Sequence, residues 1–353
     1  MKNFKTSAII LLVSILPFFT SCSDDNDDLV VTEEESEFDG NLIVTESGAG
    51  DNRNVVLNAD NIEENSVLVK VRFATTTENM RRLYITRDVA NSGIEVYDLN
   101  NKTEGIEIDD KADGSVDLKG DDKKEFEFQI RLDKPLLSNG TVEYTLWTTT
   151  GRGDFRDVSK RNALGAEVVG TVTLEYGEAV NSTSGLKTFE ATMLAAPLLD
   201  GSSNTFISLF NETVYKISDG EEFAALWDFG YYYGNTGKAS LASASNFPAL
   251  FDTNGDGEPD SAISALTGVP QEELNTFFFG ASNLSFEEFE AISTGDELNG
   301  IGPLTRERIN NLEEGQIVEF IDSYGHKGLI LVLNVNGTFG NDGAITILVK
   351  VQV

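Results

Sequence analysis

Apolar and polar residues alternate in short runs over most of this chain. Ser66-Val67-Leu68-Val69-Lys70-Val71-Arg72-Phe73 and Glu125-Phe126-Glu127-Phe128-Gln129-Ile130-Arg131-Leu132 set every second side chain on one face, the period of a half-buried strand. Further strands are predicted over 83–87, 94–99, 142–149 and 168–176, with turns such as Asp113-Gly114 and Asn139-Gly140 between them. Short strands without a helical period predict an immunoglobulin-like or fibronectin-like β-sandwich over 41–178, with Trp147 in its core.

The pattern changes after a polar stretch, 179–186, that reads as a linker. Helix starts are signalled by Ser218 with Glu221 for 221–227, by Ser285 with Glu288 for 286–292, and by Thr305 for 306–312. Pro270 suits the first turn of a helix over 271–278. Strands return at 317–321 and 328–335, flanking an Asp322–Gly325 hairpin turn. Over 344–353, Ile345, Ile347, Val349 and Val351 share one face. The expected architecture is mainly β: the sandwich, then an α+β, sheet-dominated domain over 187–353.

The first residues follow neither period. Lys2 and Lys5 precede an apolar stretch, 6–19, interrupted by Pro17 and too short to span a bilayer comfortably. It ends in Phe19-Thr20-Ser21-Cys22, so residues 1–21 read as a signal peptide. Cys22, the only cysteine, at the position after the cut resembles the lipobox of bacterial lipoproteins, although Phe19 stands where leucine is usual. In that family the thiol becomes thioether-linked to diacylglycerol. Ser23-Asp24-Asp25-Asn26-Asp27-Asp28 is similar to the export signal that sends Bacteroidota lipoproteins to the outer face of the outer membrane. The resemblance implies an outward-facing, lipid-anchored protein; residues 22–40, acidic and poor in large apolar side chains, read as a flexible tether. A lipidated Cys22 leaves the folded chain no thiol, which excludes disulfides, a cysteine nucleophile and a cysteine zinc site.

A formal charge of −33, from 59 acidic against 26 basic residues, disfavours nucleic acid and anionic lipid as partners. The acyl chains are then the membrane contact. A second resemblance lies in Trp227-Asp228-Phe229-Gly230-Tyr231-Tyr232-Tyr233-Gly234, Ala239–Ser243, Gly315–Phe320 and Lys327–Ile330. These are similar to modules of uncharacterised Bacteroidota surface lipoproteins. Ser243-Ala244 departs from a Ser-Pro of that family, and Gly325-His326-Lys327 from its glycine-lysine pair. The resemblance implies an accessory module without assigned catalysis, in proteins that often accompany outer-membrane nutrient uptake.

Four local features carry candidate chemistry. Asp252, Asn254, Asp256, Glu258 and Asp260 provide oxygens at positions 1, 3, 5, 7 and 9 of a loop with Gly257 at 6, the spacing that wraps one structural Ca²⁺. Position 12 is Ile263, so the loop is one carboxylate short, and a polar turn without an ion is the alternative. Trp227, Tyr231, Tyr232 and Tyr233, with Phe229, could offer sugar-stacking faces. Strand alternation instead puts Phe229, Tyr231 and Tyr233 together as core, with Tyr232 opposite. Arg152-Gly153-Asp154 spells an adhesion tripeptide that turn chemistry explains equally. His326, the only histidine, falls in a hairpin turn where solvation is expected, and no Gly-x-Ser-x-Gly elbow supports a triad. The expectation is a non-enzymatic surface binding or accessory protein for a polysaccharide or nutrient. An adhesion or envelope-assembly role is the alternative, and carbohydrate hydrolysis by a carboxylate pair comes last.

Overall fold

A computed structural model describes residues 38–353 apart from 121–122, 161, 166–167, 178–183, 251–255, 257–261 and 339–341. The protein is mainly β, with 22 strands and two short α-helices among the described residues. Residues 38–353 form one compact unit.

Two sheets come from residues 40–176. In the first, Gly40–Thr45, Ser66–Ala74, Glu125–Asp133 and Thr103–Glu104 lie side by side, the first two parallel. The second runs Asn54–Asn58, Gly170–Tyr176, Gly140–Thr149, Arg82–Val89, Val116–Leu118 and Ile108–Asp110, with Ile94–Val96 also paired to Arg82–Val89. The alternation at 66–73 is realised residue by residue: Val67, Val69, Val71 and Phe73 are buried against Phe128, Ile130, Leu132, Val142, Tyr144 and Leu146. Each such side chain contributes about 1.5–3 kcal/mol on leaving water.

Two further sheets come from residues 186–352. One orders Leu186–Thr188, Ala344–Gln352, Lys327–Asn336, Ile317–Ile321 and Phe278–Ala281, with Thr192–Ala195 also on Ala344–Gln352. The other orders Val214–Lys216, Asn204–Ile207, Phe229–Gly234, Lys238–Ser243 and Arg308–Ile309. Between them lie Phe229, Tyr231, Phe277, Phe279, Phe320, Ile345, Ile347, Val349 and Val351. The hairpin through Asp322–Gly325 forms as its flanks predict.

The helices depart from expectation except at one place. Phe286–Ala291 is an α-helix with the Ser285–Glu288 capping box complete and Ile292 as its C-cap. Its last carbonyls, Phe289 O, Glu290 O and Ile292 O, accept from the nearly buried Lys350 ammonium at 2.9, 3.1 and 2.7 Å, which sets a cation at the negative helix end. Glu221–Leu226 is 3₁₀ and starts from Gly220, not Ser218, because Ile217, Ala224 and Leu226 turn inward to pack. The predicted 271–278 helix is only a 3₁₀ turn, Gln271–Glu273, since Phe277 and Phe279 are taken into the core and Phe278–Ala281 pairs with Ile317–Ile321. The predicted 306–312 helix is replaced by the short strand Arg308–Ile309, paired with Leu241 and Ala242. Segments this short have little helical stability of their own, and sheet pairing decides them.

A third core joins the two sheet pairs. Along Gly140–Thr149 burial alternates up to Leu146 and then becomes continuous through Trp147, Thr148 and Thr149. The outer face is covered there. Trp147 stacks on Tyr84 at 5.5 Å, and Phe155 stands edge-on to Tyr84 at 4.8 Å and stacks on Phe210 at 6.0 Å. Phe206, Trp227, Tyr232 and Phe247 continue the same cluster. Trp147 is core, but the core of this seam.

Candidate functional site

The seam is fastened by the loop that follows Gly140–Thr149. Gly153 N donates to the Tyr84 hydroxyl at 2.7 Å, and a Cβ there would lie 2.7 Å from Thr149 Cγ2, so the close approach requires glycine. Arg152 donates to the Glu221 carbonyl and to Glu273 Oε2, at 2.5 and 2.9 Å. Asp154 Oδ1 accepts from Arg156 N at 2.7 Å, and its Oδ2 accepts from the Tyr324 hydroxyl at 2.8 Å. With side-chain exposures of 10% for Arg152 and 0% for Asp154, the Arg-Gly-Asp tripeptide is structural and closed to an adhesion receptor.

Arg156 lies at the centre. Its Nη1 meets Asp228 Oδ1 at 2.7 Å, its Nη2 donates to Ala225 O at 3.0 Å, and the guanidinium lies 4.6 Å over the Tyr324 ring. Asp228 Oδ2 accepts from Leu209 N at 2.6 Å. Burial pushes the Asp228 carboxyl up, to about 6, against the pull of Arg156, and pushes the Tyr324 phenol well above its ordinary range. Asn275 Nδ2 ties the same segment by donating to Ala225 O and Trp227 O at 2.6 and 3.1 Å. The buried ions here are paired, the condition under which they are tolerated, although Arg156 Nε itself has no hydrogen-bond acceptor among the described residues.

Beside this network opens a cavity of about 420 Å³. One wall is the Asp88, Gly93 and Ile94 hairpin of the first sheet pair; the other carries Lys187, Phe210 and the Asp322–His326 turn, with Arg156 and Asp157 between. The turn is built by Asp322, whose Oδ1 accepts from Tyr324 N and His326 N at 2.9 and 2.8 Å. Asp322 Oδ2 meets His326 Nδ1 at 2.9 Å, and this bond raises the imidazole pKa although burial opposes it. His326 is thus not the freely solvated residue expected from its turn: its side chain is 43% exposed and anchored to a carboxylate that is 4% exposed. No hydroxyl among the described residues bonds its ring; the Ser323 hydroxyl donates to Thr276 O instead.

The sequence candidates lie elsewhere. Trp227 and Tyr231 are fully buried and Tyr232 is 7% exposed, while Tyr233 packs against the core of the second sheet pair. The core reading of this strand describes it, with Tyr232 on the seam side and Phe229, Tyr231 and Tyr233 opposite. They form no exposed stacking platform. Cys22 and the calcium-loop residues Asp252, Asn254, Glu258 and Asp260 lie outside the described residues, and Asp256 is exposed. Among the described residues no group of three or more His, Cys, Asp or Glu is placed to hold a metal ion. Sequence reasoning passed over Asp88, Arg156, Lys187, Asp228, Asp322 and Tyr324. Only Asp322 had a local signal, an aspartate opening the turn that holds the single histidine.

No protein-family profile matches the sequence, and no curated protein matches it. Among solved structures, a cysteine protease inhibitor from Entamoeba histolytica aligns with 39% of this chain and 96% of its own at 12% identity, with a TM-score of 0.18. The multicopper oxidase Fet3p, which functions in iron import, aligns with 83% of this chain and 63% of its own at 8% identity, with a TM-score of 0.20. Likeness at this level carries no argument about this chain.

Proposed function

We propose that this chain is a lipid-anchored protein of the outer cell surface that captures a small polar ligand, a saccharide unit or comparable nutrient, in the seam cavity. The observation that carries the reading is the cavity itself: about 420 Å³, within the range of small-molecule sites, with polar side chains converging on it from both sheet pairs. The aromatic strand is not the ligand surface in this reading, because its rings are spent on two cores. The surface address rests on Lys2, Lys5, Cys22 and the aspartates that follow. For the adhesion alternative, a broad apolar patch would be the signature; the large exposed apolar side chains, such as Val56, Leu136, Met193 and Phe286, come singly from separate segments.

Native gels containing polysaccharides, run with residues 23–353, test capture. At least one polymer is expected to slow the protein, and Ile94→Trp, which fills the cavity mouth from a residue 39% exposed, is expected to abolish the effect. Retardation indifferent to that change sinks the assignment. Anchoring is tested apart from this: Cys22→Ser should end palmitate incorporation and remove the chain from the outer-membrane fraction.

A further inference from the structure

We infer that the seam cavity admits an uncharged, hydroxyl-bearing ligand and turns away carboxylated or sulfated ones; this rests on the proposal that the cavity is the ligand site. Every cation on its wall already has an internal partner. Arg156 is held by Asp228 at 2.7 Å, Lys187 by Glu212 at 3.2 Å and by the Phe210 carbonyl at 3.1 Å, and His326 by Asp322 at 2.9 Å. The reverse does not hold for two of the carboxylates. Asp157 Oδ1 accepts only from Ser159, through N at 3.1 Å and Oγ at 2.6 Å, and no cation pairs with it among the described residues. Asp88 also has no cation partner among the described residues: burial and nearby Glu95 raise its pKa against backbone bonds from Gly93 and Ser92, and its Oδ1 is shut off from water.

The wall therefore offers an acceptor without a cation in Asp157, and negative charge from Asp88, beside cations that are already paired with carboxylates. An incoming anion would face Asp88 and Asp157 at reduced dielectric, or would have to break an existing ion pair, and both are unfavourable. A hydroxyl meets no such cost. It donates a charge-assisted bond to Asp157 and accepts from the outward side of His326 or from Lys187. The Phe210 and Tyr324 rings and Ile94 line the remainder with apolar surface that suits the C–H faces of a sugar ring.

Affinity electrophoresis of residues 23–353 decides it, with dextran, mannan and galactan as neutral probes and polygalacturonate and heparin as acidic ones. Sodium chloride at about 0.5 M removes the long-range field of the −33 chain, so any remaining discrimination belongs to the site. The expected result is retardation by a neutral polymer, none by either acidic polymer, and at least about fivefold weaker neutral retention in the Asp88→Asn/Asp157→Asn double variant. Ile94→Trp and Val353→Trp are independent blocking variants at the mouth, where both residues are partly exposed. Acidic polymers that bind as well as neutral ones, with binding still blocked by both variants, overturn the charge selection and leave the cavity as the ligand site. No retention by any polymer, or retention untouched by both blocking variants, overturns the cavity and the selection with it.

Discussion

The first sheet pair and the seam are held together by opposite chemistries. The sandwich core is built mostly of Val, Leu, Ile and Phe from strands that alternate, with Tyr97, Tyr144 and Tyr176 among them, and among the described residues it holds no buried ion pair like that of Arg156. The seam is built of large rings and ions: Trp147 on Tyr84, Phe155 on Phe210, and Arg156 between Asp228 and Tyr324. Apolar packing is tolerant, because any side chain of similar volume restores most of it. A buried ion pair is unforgiving, because losing one partner strands the other. The cavity opens beside the second kind of structure, where polar groups are held in place by one another.

The largest effect should therefore come from stranding Asp228. Arg156→Met leaves its carboxylate 1% exposed without a cation, and a loss of about 3–5 kcal/mol of unfolding free energy is expected in urea denaturation. Arg156→Met with Asp228→Leu should recover part of that loss, since Asp228 is then no longer stranded, while the buried Asp154, 3.9 Å from Arg156 Nε, still lacks its cation. In the sandwich core Ile130→Val, at a residue equally buried, should cost only about 0.5–1.5 kcal/mol. A double variant no better than the single one would mean that the pair fixes the seam geometry and not merely its charge balance.

That contrast also separates what was legible in the sequence from what was not. The run at 66–73 needs only its own period to be read, because its partners are strands of the same kind. The Ser285–Glu288 capping box is local and was read correctly for the same reason. Arg156 and Asp228 stand 72 residues apart, and Asp154 and Tyr324 170 apart, so no window of sequence contains either pair. Trp147 was readable as core, yet the covering of the sheet's outer face by Phe206 and Phe210 was not. The aromatic strand shows how far alternation reaches: it separates Phe229, Tyr231 and Tyr233 from Tyr232, as the fold does, but not which second interior receives Trp227 and Tyr232.

Acid and base should sort the two regions as well, with smaller effect. Near the first sheet, Glu46 accepts from the Thr77 hydroxyl, from Thr76 N and Oγ1, and from the Thr75 hydroxyl, and these bonds lower its pKa from 4.5 to about 2. A lowered carboxyl stabilises the fold above 4.5 and loses that contribution as pH falls towards 2. In the seam the signs reverse. Asp228, raised from 3.8 to about 6, makes ionisation costlier in the folded state, so stability declines as pH rises through that interval. His326, raised above 6.5 by Asp322, contributes fully below 6.5, and the contribution is lost as pH rises through the folded value. Thermal unfolding midpoints from pH 2 to 9 should show Glu46→Gln shrinking the acid limb, to which the lowered Asp51, Asp117, Asp200 and Glu297 also contribute, and His326→Gln changing only the limb above neutrality. If His326→Gln leaves that upper limb in place, the Asp322 bond does not set the imidazole.

The smallest effect belongs to ion pairs outside both cores. Lys70 meets Glu127 at 2.8 Å and Arg72 meets Glu125 at 2.8 Å across two strands, with side-chain exposures of 34–61%. Distances alone make them as good as Arg156 to Asp228. Water and salt screen them, so Lys70→Ala should cost no more than about 0.5 kcal/mol at low salt and nothing measurable near 1 M sodium chloride. The Arg156→Met loss should be unchanged by the same salt, because ions do not reach a pair that is 6% and 1% exposed. Equal salt sensitivity in the two variants would mean that solvent enters the seam, and the cavity would then be too wet to discriminate between ligands by charge.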